Sequence, residues 1–271
     1  EAIHALGIPI VYYISPQVWA WKRGRLDRLA RLVTRMLVIF PFEEALYRDK
    51  GVDCVYVGHP LMDEIDKYRA PEAPAEAMQV ALLPGSRAQE IQRIAPILAE
   101  VARDLLVLHP GARFLSPCIS EVRAEQAREF LGTLPVEFLV GGMYDVLSRA
   151  RCALVASGTA TLETALFGVP MCIVYRVNPI SYWLARALVH IRFIGIVNIL
   201  AEREIVPEFI QGRAVAKKIT PVLRALLAET ETRHHMLADF QELKRRLGGP
   251  GASRRAAREI LRIFPHSPMA S

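Results

Sequence analysis

The stretch CALVASGTATLETALFGVPMCIVY, residues 152–175, decides the fold. Cys152 to Ala156 is an uninterrupted apolar run of strand length, and Met171 to Tyr175 is a second. Between them, Thr161 to Phe167 has the composition of a short helix, and Gly168-Val169-Pro170 stops it. Two fully apolar strands joined through a helix form a βαβ unit. The strands must then be parallel and buried on both faces, because a parallel pair needs a crossover and a continuous apolar run leaves no polar face for solvent.

Working outward, the same alternation precedes this unit. Strands are expected at Val80–Leu83, Arg113–Ser116 and Val136–Val140, with helices at about 89–108, Glu121–Leu131 and Tyr144–Ala150 between them. The fold class is therefore α/β, with a parallel sheet covered by helices, a Rossmann-like lobe over residues 78–211. From Ile180 on, the chain reads as mostly helical. Gly248-Gly249-Pro250-Gly251 breaks its last two helices.

Ahead of this lobe, RAPEAPAEA at residues 69–77 has the composition of a linker. Residues 1–68 carry apolar strands at Ile8–Ile14, Met36–Phe40 and Val55–Val57, as in part of another Rossmann-like lobe. Between the first two strands, Leu26, Leu29, Val33 and Met36 recur at helical spacing, with Arg25, Arg28, Arg31 and Arg35 opposite them. Residues 212–271 are expected to be helices that pack back on the first lobe or on a partner. The sequence opens at Glu1 with no signal peptide, and reads as a fragment that begins inside a domain.

Composition narrows the class further. Over 271 residues, 52% are hydrophobic and 23% charged, enough to bury a core in two lobes and far from a disordered chain. Cys54, Cys118, Cys152 and Cys172 are widely spaced and suggest neither a disulfide framework nor a zinc site. The net charge of +6 favours an anionic partner. The most apolar region, Ile180 to Leu200, is interrupted by Arg186, His190 and Arg192, so it falls short of the roughly 20 uncharged residues that a membrane span needs.

In open α/β sheets, ligands bind beyond the carboxyl ends of the strands, where helix N-termini offer unpaired N–H groups. Pro84-Gly85-Ser86-Arg87 holds such a place, with a glycine for close approach, a hydroxyl and a guanidinium fork. So does Ser157-Gly158-Thr159-Ala160-Thr161. Glu163 follows it out of register for a capping box, since the third position after Ser157 or Thr159 is Ala160 or Leu162. Its carboxylate is then available to ribose hydroxyls. Gly141-Gly142-Met143-Tyr144 is either a plain turn or a place where a base meets backbone. In the first lobe, Trp19 and Trp21 follow Ser15 in a strand-to-helix loop and are either core or a platform for substrate. His59, in Gly58-His59-Pro60, is either structural or a phosphate ligand.

Taken together, SPQVWAWKRGRLDRLARLVTRMLVIFPFE at 15–43, GHPL at 58–61, LLPGSR at 82–87, SGTATLETALFGVP at 157–170, YRVNPISYWLA at 175–185 and NILAEREIVPEF at 198–209 resemble the lipid-A-disaccharide synthase family in order and spacing. The resemblance implies an inverting glycosyltransferase of the two-lobed GT-B type. Its substrates would be UDP-2,3-diacylglucosamine and 2,3-diacylglucosamine 1-phosphate, its products the lipid A disaccharide 1-phosphate and UDP. It implies that Gly85, Ser86 and Arg87 neutralise the diphosphate, with Arg87 stabilising the leaving group. Ser157 to Thr161 would hold it at a helix N-terminus, and Glu163 would bind ribose. Gly142, Met143, Asn198 and His59 join the donor site, and Ser15, Trp19 and Trp21 the acyl-sugar cleft.

Family members carry a further N-terminal segment with the residue thought to act as general base. The polypeptide as given is therefore expected to lack transfer activity even if it binds UDP. No cofactor is implied, and with no acidic cluster suited to a metal the catalysis is expected to be metal-independent. Cytoplasmic work on acylated substrates implies peripheral contact with the inner membrane, and the resemblance is compatible with a homodimer. Nucleic acid is not an expected partner, because the basic residues lack interleaved aromatics. The rival readings are another UDP-sugar enzyme of this fold, such as an N-acetylglucosaminyltransferase or epimerase, and a non-catalytic nucleotide-binding fragment.

Overall fold

A computed structural model describes residues 2–15, 24–68, 78–178, 182 and 192–263. The described residues fall into two compact units. One holds those up to Lys67 and from Lys244 on; the other runs from Tyr68 to Leu243. The expected linker, 69–77, lies outside the described residues.

The first unit contains α1 (Ala2–Ala5), β1 (Val11–Tyr13), α2 (Gly24–Leu32), β2 (Arg35–Val38), α3 (Pro41–Arg48), β3 (Cys54–Tyr56) and α4 (Pro60–Lys67). The strands form a parallel sheet in the order β1-β2-β3. β1 is shorter than the apolar run around it, since Ile14 turns the chain at φ +64°. Helix α2 also stops sooner than its periodicity suggests, at Leu32. Arg35 is not on an outer basic face but opens β2, where it forms ion pairs with Asp53 and Glu259. One sheet face buries Leu26, Met36, Tyr47 and Cys54; the other buries Leu37 and Val57 against Ala256 from the last helix.

That last helix, α12 (Ala252–Ile263), is fastened to the unit by a carboxylate. The Asp63 side chain accepts from the backbone N–H groups of Gly251, Ala252 (3.2 Å) and Ser253 (3.0 Å), capping the helix from a different element. Arg255 Nε donates to the Val57 carbonyl at 2.8 Å, and Tyr56 Oη to the Leu247 carbonyl at 2.7 Å. Gly58, at φ +90°, leaves room for the guanidinium, because a Cβ there would lie 2.4 Å from Arg255 Nη2.

The second unit contains β4 (Gln79–Leu83), α5 (Ala88–Leu108), β5 (Arg113–Cys118), α6 (Glu121–Leu131), β6 (Val136–Val140), α7 (Met143–Arg149), β7 (Cys152–Ala156), α8 (Thr159–Leu166), β8 (Met171–Tyr175), α9 (Ile196–Ala201), β9 (Glu208–Ile210), α10 (Ala216–Leu227) and most of α11 (Glu231–Leu247). Its six strands are all parallel, in the order β6-β5-β4-β7-β8-β9. The apolar runs around residue 160 thus become central strands, and β7 is buried along its whole length.

Two features depart from the sequence reading. β9 is a strand inside a region read as helical, because three residues after Pro207 are too few to show any periodicity. The tail from 212 is not one body either: α10 packs on α5, β7 and β8 within the second unit, and the chain joins the first unit only near Lys244. The apolar face of α10, with Ile219, Leu223 and Leu226 fully buried, accounts for this.

The Asp63 cap makes a testable claim. Burial alone would raise its pKa, but the N–H groups of Ser253, Gly251 and Ala252 outweigh that and hold it at about 2, below the usual 3.8. The unfolded chain therefore binds more protons between those values. The contribution is present above pH 3.8 and is lost as the pH falls toward 2. Asp63→Ala should cost about 1–2 kcal/mol in urea denaturation and speed amide exchange across 252–263, with less pH sensitivity than wild type below pH 4.

Candidate functional site

The order of the second sheet reverses at β4. From there the chain goes outward through β5 and β6, then returns to the other side of β4 as β7. Crossovers on the two sides run over opposite faces, which opens a crevice at the carboxyl ends of β4 and β7. The register aligns those ends, with Val80 opposite Cys152 and Leu83 opposite Val155. Pro84-Gly85-Ser86-Arg87 and Ser157-Gly158 therefore leave the sheet side by side.

Between these turns lies a cleft of about 580 Å³, within the range of small-molecule sites. Gly85, Ser86, Arg87, Met143, Ser157, Gly158, Thr159, Ala160 and Glu163 all line it. Nine of the residues picked out from the sequence thus meet in one place.

In the first turn Gly85 is required twice over. Its φ is +108°, and a Cβ would lie 2.7 Å from Glu90 Oε2. Glu90, on the first turn of α5, accepts from the backbone N–H groups of Ser86 and Arg87, both at 3.1 Å, and pairs with Arg87 Nη1 at 2.9 Å. Its carboxylate thus sits where the turn offers its donors. The Arg87 side chain is 82% exposed, so this ion pair is worth at most about 1 kcal/mol and can be exchanged for a more highly charged anion.

In the second turn, Gly158 caps α8 with extended backbone at φ 165°. A Cβ there would meet nothing within 4 Å. Neither backbone strain nor a neighbour in the protein demands glycine; a side chain would simply fill the cleft. Thr161 N–H already donates to the Gly158 carbonyl, which leaves the first N–H groups of α8 at the cleft. Glu163 stands one turn further in, half-buried. Among the described residues its carboxylate has no hydrogen bond or ion pair, and burial raises its pKa. An acidic group held this way gains from any hydroxyl donor that enters the cleft.

The remaining expected residues are placed otherwise. Thr161 is buried, with its hydroxyl donating to the Gly158 carbonyl at 2.8 Å, so it organises the turn instead of facing the cleft. Gly142 stands behind Gly141 and Met143, where a Cβ would press on Leu139 at 2.8 Å. Asn198 is fully buried: its amide nitrogen donates to the Val206 carbonyl and Glu208 Oε1, and its oxygen accepts from Ile205 and Val206 N–H. That engages the whole amide in holding the loop before β9, leaving none for a ligand.

His59 belongs to the first unit, buried against Phe40, with Nδ1 accepting from Leu61 N–H at 3.2 Å. Burial lowers its pKa to about 4, so the ring is neutral near pH 7 and brings no positive charge to a phosphate. Ser15 is buried too, donating to Glu43 Oε1 at 2.7 Å. Trp19 and Trp21 lie outside the described residues.

Sequence reading passed over Glu90, Pro117, Cys118 and Ile119, which also line the cleft. Glu90 reads as a helix-capping acid, and it does cap. The other three follow the sheet register: Cys118 pairs with Val140 at the end of β5, so the chain just after it must border the crevice. That signal existed only as the position of a strand end.

The fold is of GT-B type: one unit is a doubly wound parallel α/β sheet with a cleft at its switch point, and the other carries a parallel sheet of its own. Solved structures share this fold. UDP-GlcNAc 2-epimerase from Neisseria meningitidis, bound to UDP-GlcNAc, matches with TM-score 0.63 at 13% identity, over 96% of this chain and 72% of that one. The glycotransferase of kitacinnamycin matches with TM-score 0.58 at 18% identity, over 96% and 72%. The family is more specific. The lipid-A-disaccharide synthetase model matches residues 2–260, and the chain is 40% identical over 271 residues to lipid-A-disaccharide synthase of Syntrophus aciditrophicus (strain SB), covering 96% of this chain and 71% of that protein. The chain belongs to the lipid-A-disaccharide synthetase family.

Gly158→Ala separates fold from ligand. Extended backbone and open space predict a stability change within about 1 kcal/mol by thermal melting. Nucleotide affinity should fall about tenfold or more by calorimetry, because the new methyl group occupies the cleft.

Proposed function

We propose that this chain binds UDP-2,3-diacylglucosamine in the β4–β7 cleft and serves its inverting transfer to 2,3-diacylglucosamine 1-phosphate, with release of UDP. Family membership supports the reaction class. One observation carries the site assignment: the Arg87 turn and the Ser157–Glu163 turn open into the same crevice.

As the bond between the donor sugar and the diphosphate breaks, negative charge builds on the departing phosphate. Arg87, released from Glu90, follows that charge, while Ser86 and the N-terminus of α8 hold the diphosphate from two sides. Glu163 accepts from the ribose hydroxyls, and Met143 with Gly141 borders the base. In a protein that also carries the N-terminal segment of the family, Arg87→Ala should lower kcat/KM by a factor matching roughly 3 kcal/mol, with the larger part in kcat. Unchanged turnover would overturn the role.

Glu163 adds a pH dependence with a definite sign. Ribose hydroxyls donate to the ionised carboxylate, so binding lowers a pKa that burial has raised. Binding then releases protons, and donor affinity weakens as the pH falls through the raised value. A UDP-sugar suits this test, because its diphosphate carries no titrating proton near neutrality. Glu163→Gln should bind more weakly and flatten the profile; a parallel profile would place the titration elsewhere.

Acylated substrates also place this protein at the cytoplasmic face of the inner membrane. Among the described residues no helix is long and apolar enough to cross it. Comparing acylated with unacylated UDP-sugars as donors separates this reading from an N-acetylglucosaminyltransferase or epimerase.

A further inference from the structure

A second cavity, of about 620 Å³, opens in the same unit as the nucleotide cleft. One wall is α5 at Arg93, a single turn beyond Glu90. The other is the segment Arg176 to Asn178, directly after β8. β8 pairs with β7, so this wall stands at the carboxyl edge of the sheet, one strand along from the Ser157 turn. Glu90 lines the cleft and Arg93 lines this cavity, both from the first two turns of α5. They are neighbours on one sheet edge.

The chemistry of this cavity differs from that of the cleft. Arg93 and Arg176 line it, and among the described residues no carboxylate does. Neither arginine forms an ion pair or hydrogen bond among the described residues, whereas Arg87, Arg128, Arg149, Arg151 and Arg203 all do. Two uncompensated guanidinium groups raise the positive potential of a concave space and supply forks suited to phosphate oxygens. The wall bearing Arg176 is fixed: Gln211 accepts from Val177 N–H at 2.9 Å and donates back to the Val177 carbonyl at 3.1 Å. On α5, Gln92 and Pro96 also line the cavity, and Pro96 has no N–H to offer the Gln92 carbonyl.

We propose that this cavity is a phosphate-monoester site, in which Arg93 and Arg176 hold the 1-phosphate of the sugar acceptor. The proposal rests on the transferase reading above. The acceptor hydroxyl must reach the sugar carbon attached to the diphosphate, so its phosphate, across the acceptor ring, needs a seat close to the nucleotide cleft but separate from it. The Arg93–Arg176 cavity is such a seat, and its volume admits a sugar with its phosphate.

The test is calorimetry on the full chain with glucosamine 1-phosphate as the probe. Wild type should bind it, and Arg93→Ala/Arg176→Ala should weaken binding about tenfold or more while leaving UDP affinity unchanged. Arg87→Ala should do the reverse. Arg93→Lys/Arg176→Lys should retain part of the affinity, and the single Arg93→Gln and Arg176→Gln variants serve if the double alanine variant melts early. Glucosamine without phosphate should be indifferent to all of them. Equal affinity of wild type and double variant for glucosamine 1-phosphate, or no binding by wild type, overturns the site. Loss of binding to phosphatidylglycerol vesicles with glucosamine 1-phosphate binding intact also overturns it, by assigning the arginines to a lipid headgroup. If wild type fails to bind UDP while the arginine-dependent probe binding persists, the nucleotide reading fails and the anion site stands.

Discussion

The parallel pairing of β4 with β7 is the constraint on which the site depends. Val80 pairs with Cys152 and Leu83 with Val155, so both strands end at the same level of the sheet. A slip of one residue would turn every side chain of a strand to the other face and lift one turn away from its partner. Burial of β7 along its length and of β4 from Val80 to Leu83 resists that slip, because these apolar residues have no polar face to trade. The apolar runs that build the core therefore also set the distance between the two turns that border the cleft.

Within the cleft, the two turns are held by different means. The Pro84–Arg87 turn folds around an internal anion, Glu90, which pairs with backbone donors and with Arg87. The Ser157–Gly158 turn is fixed from behind by Thr161, and its front remains open. Charge is divided accordingly: donors and the guanidinium collect at the Arg87 turn, and Glu163, an acid with no partner among the described residues, follows the other turn. A diphosphate joined to a nucleoside has the same polarity, with anionic oxygens at one end and hydroxyl donors at the other. The arginine-lined cavity beside β8 extends the positive side along the same sheet edge.

The first unit solves a different problem. Three parallel strands have two apolar faces, and the chain's own C-terminal helix covers one of them. Its N-terminus is fixed by Asp63 and its flank by Arg255, so polar contacts set its register while Ala256 and Ile260 provide the buried surface. The buried groups Glu43 and His59 are likewise satisfied within the unit, by Ser15 and Leu61. Residues that look reactive in a motif thus have hydrogen-bond partners inside the unit.

The sequence by itself determined the elements of the second sheet, because long apolar runs separated by glycine and hydroxyl turns have few other folds open to them. It also singled out the two turns that carry Arg87 and Glu163, since glycine, hydroxyl and charge at a strand end have a local chemical meaning. Only the tertiary structure decided which polar residues remain available. Asn198 and Thr161 are engaged in bonds to backbone near them, and β9 takes part in the sheet through just three residues. Likewise, Arg93 and Arg176 are 83 positions apart in the numbering and carry no motif in common. They meet because β8 lies next to β7 and α5 follows β4, an adjacency created by strand order and absent from any local pattern.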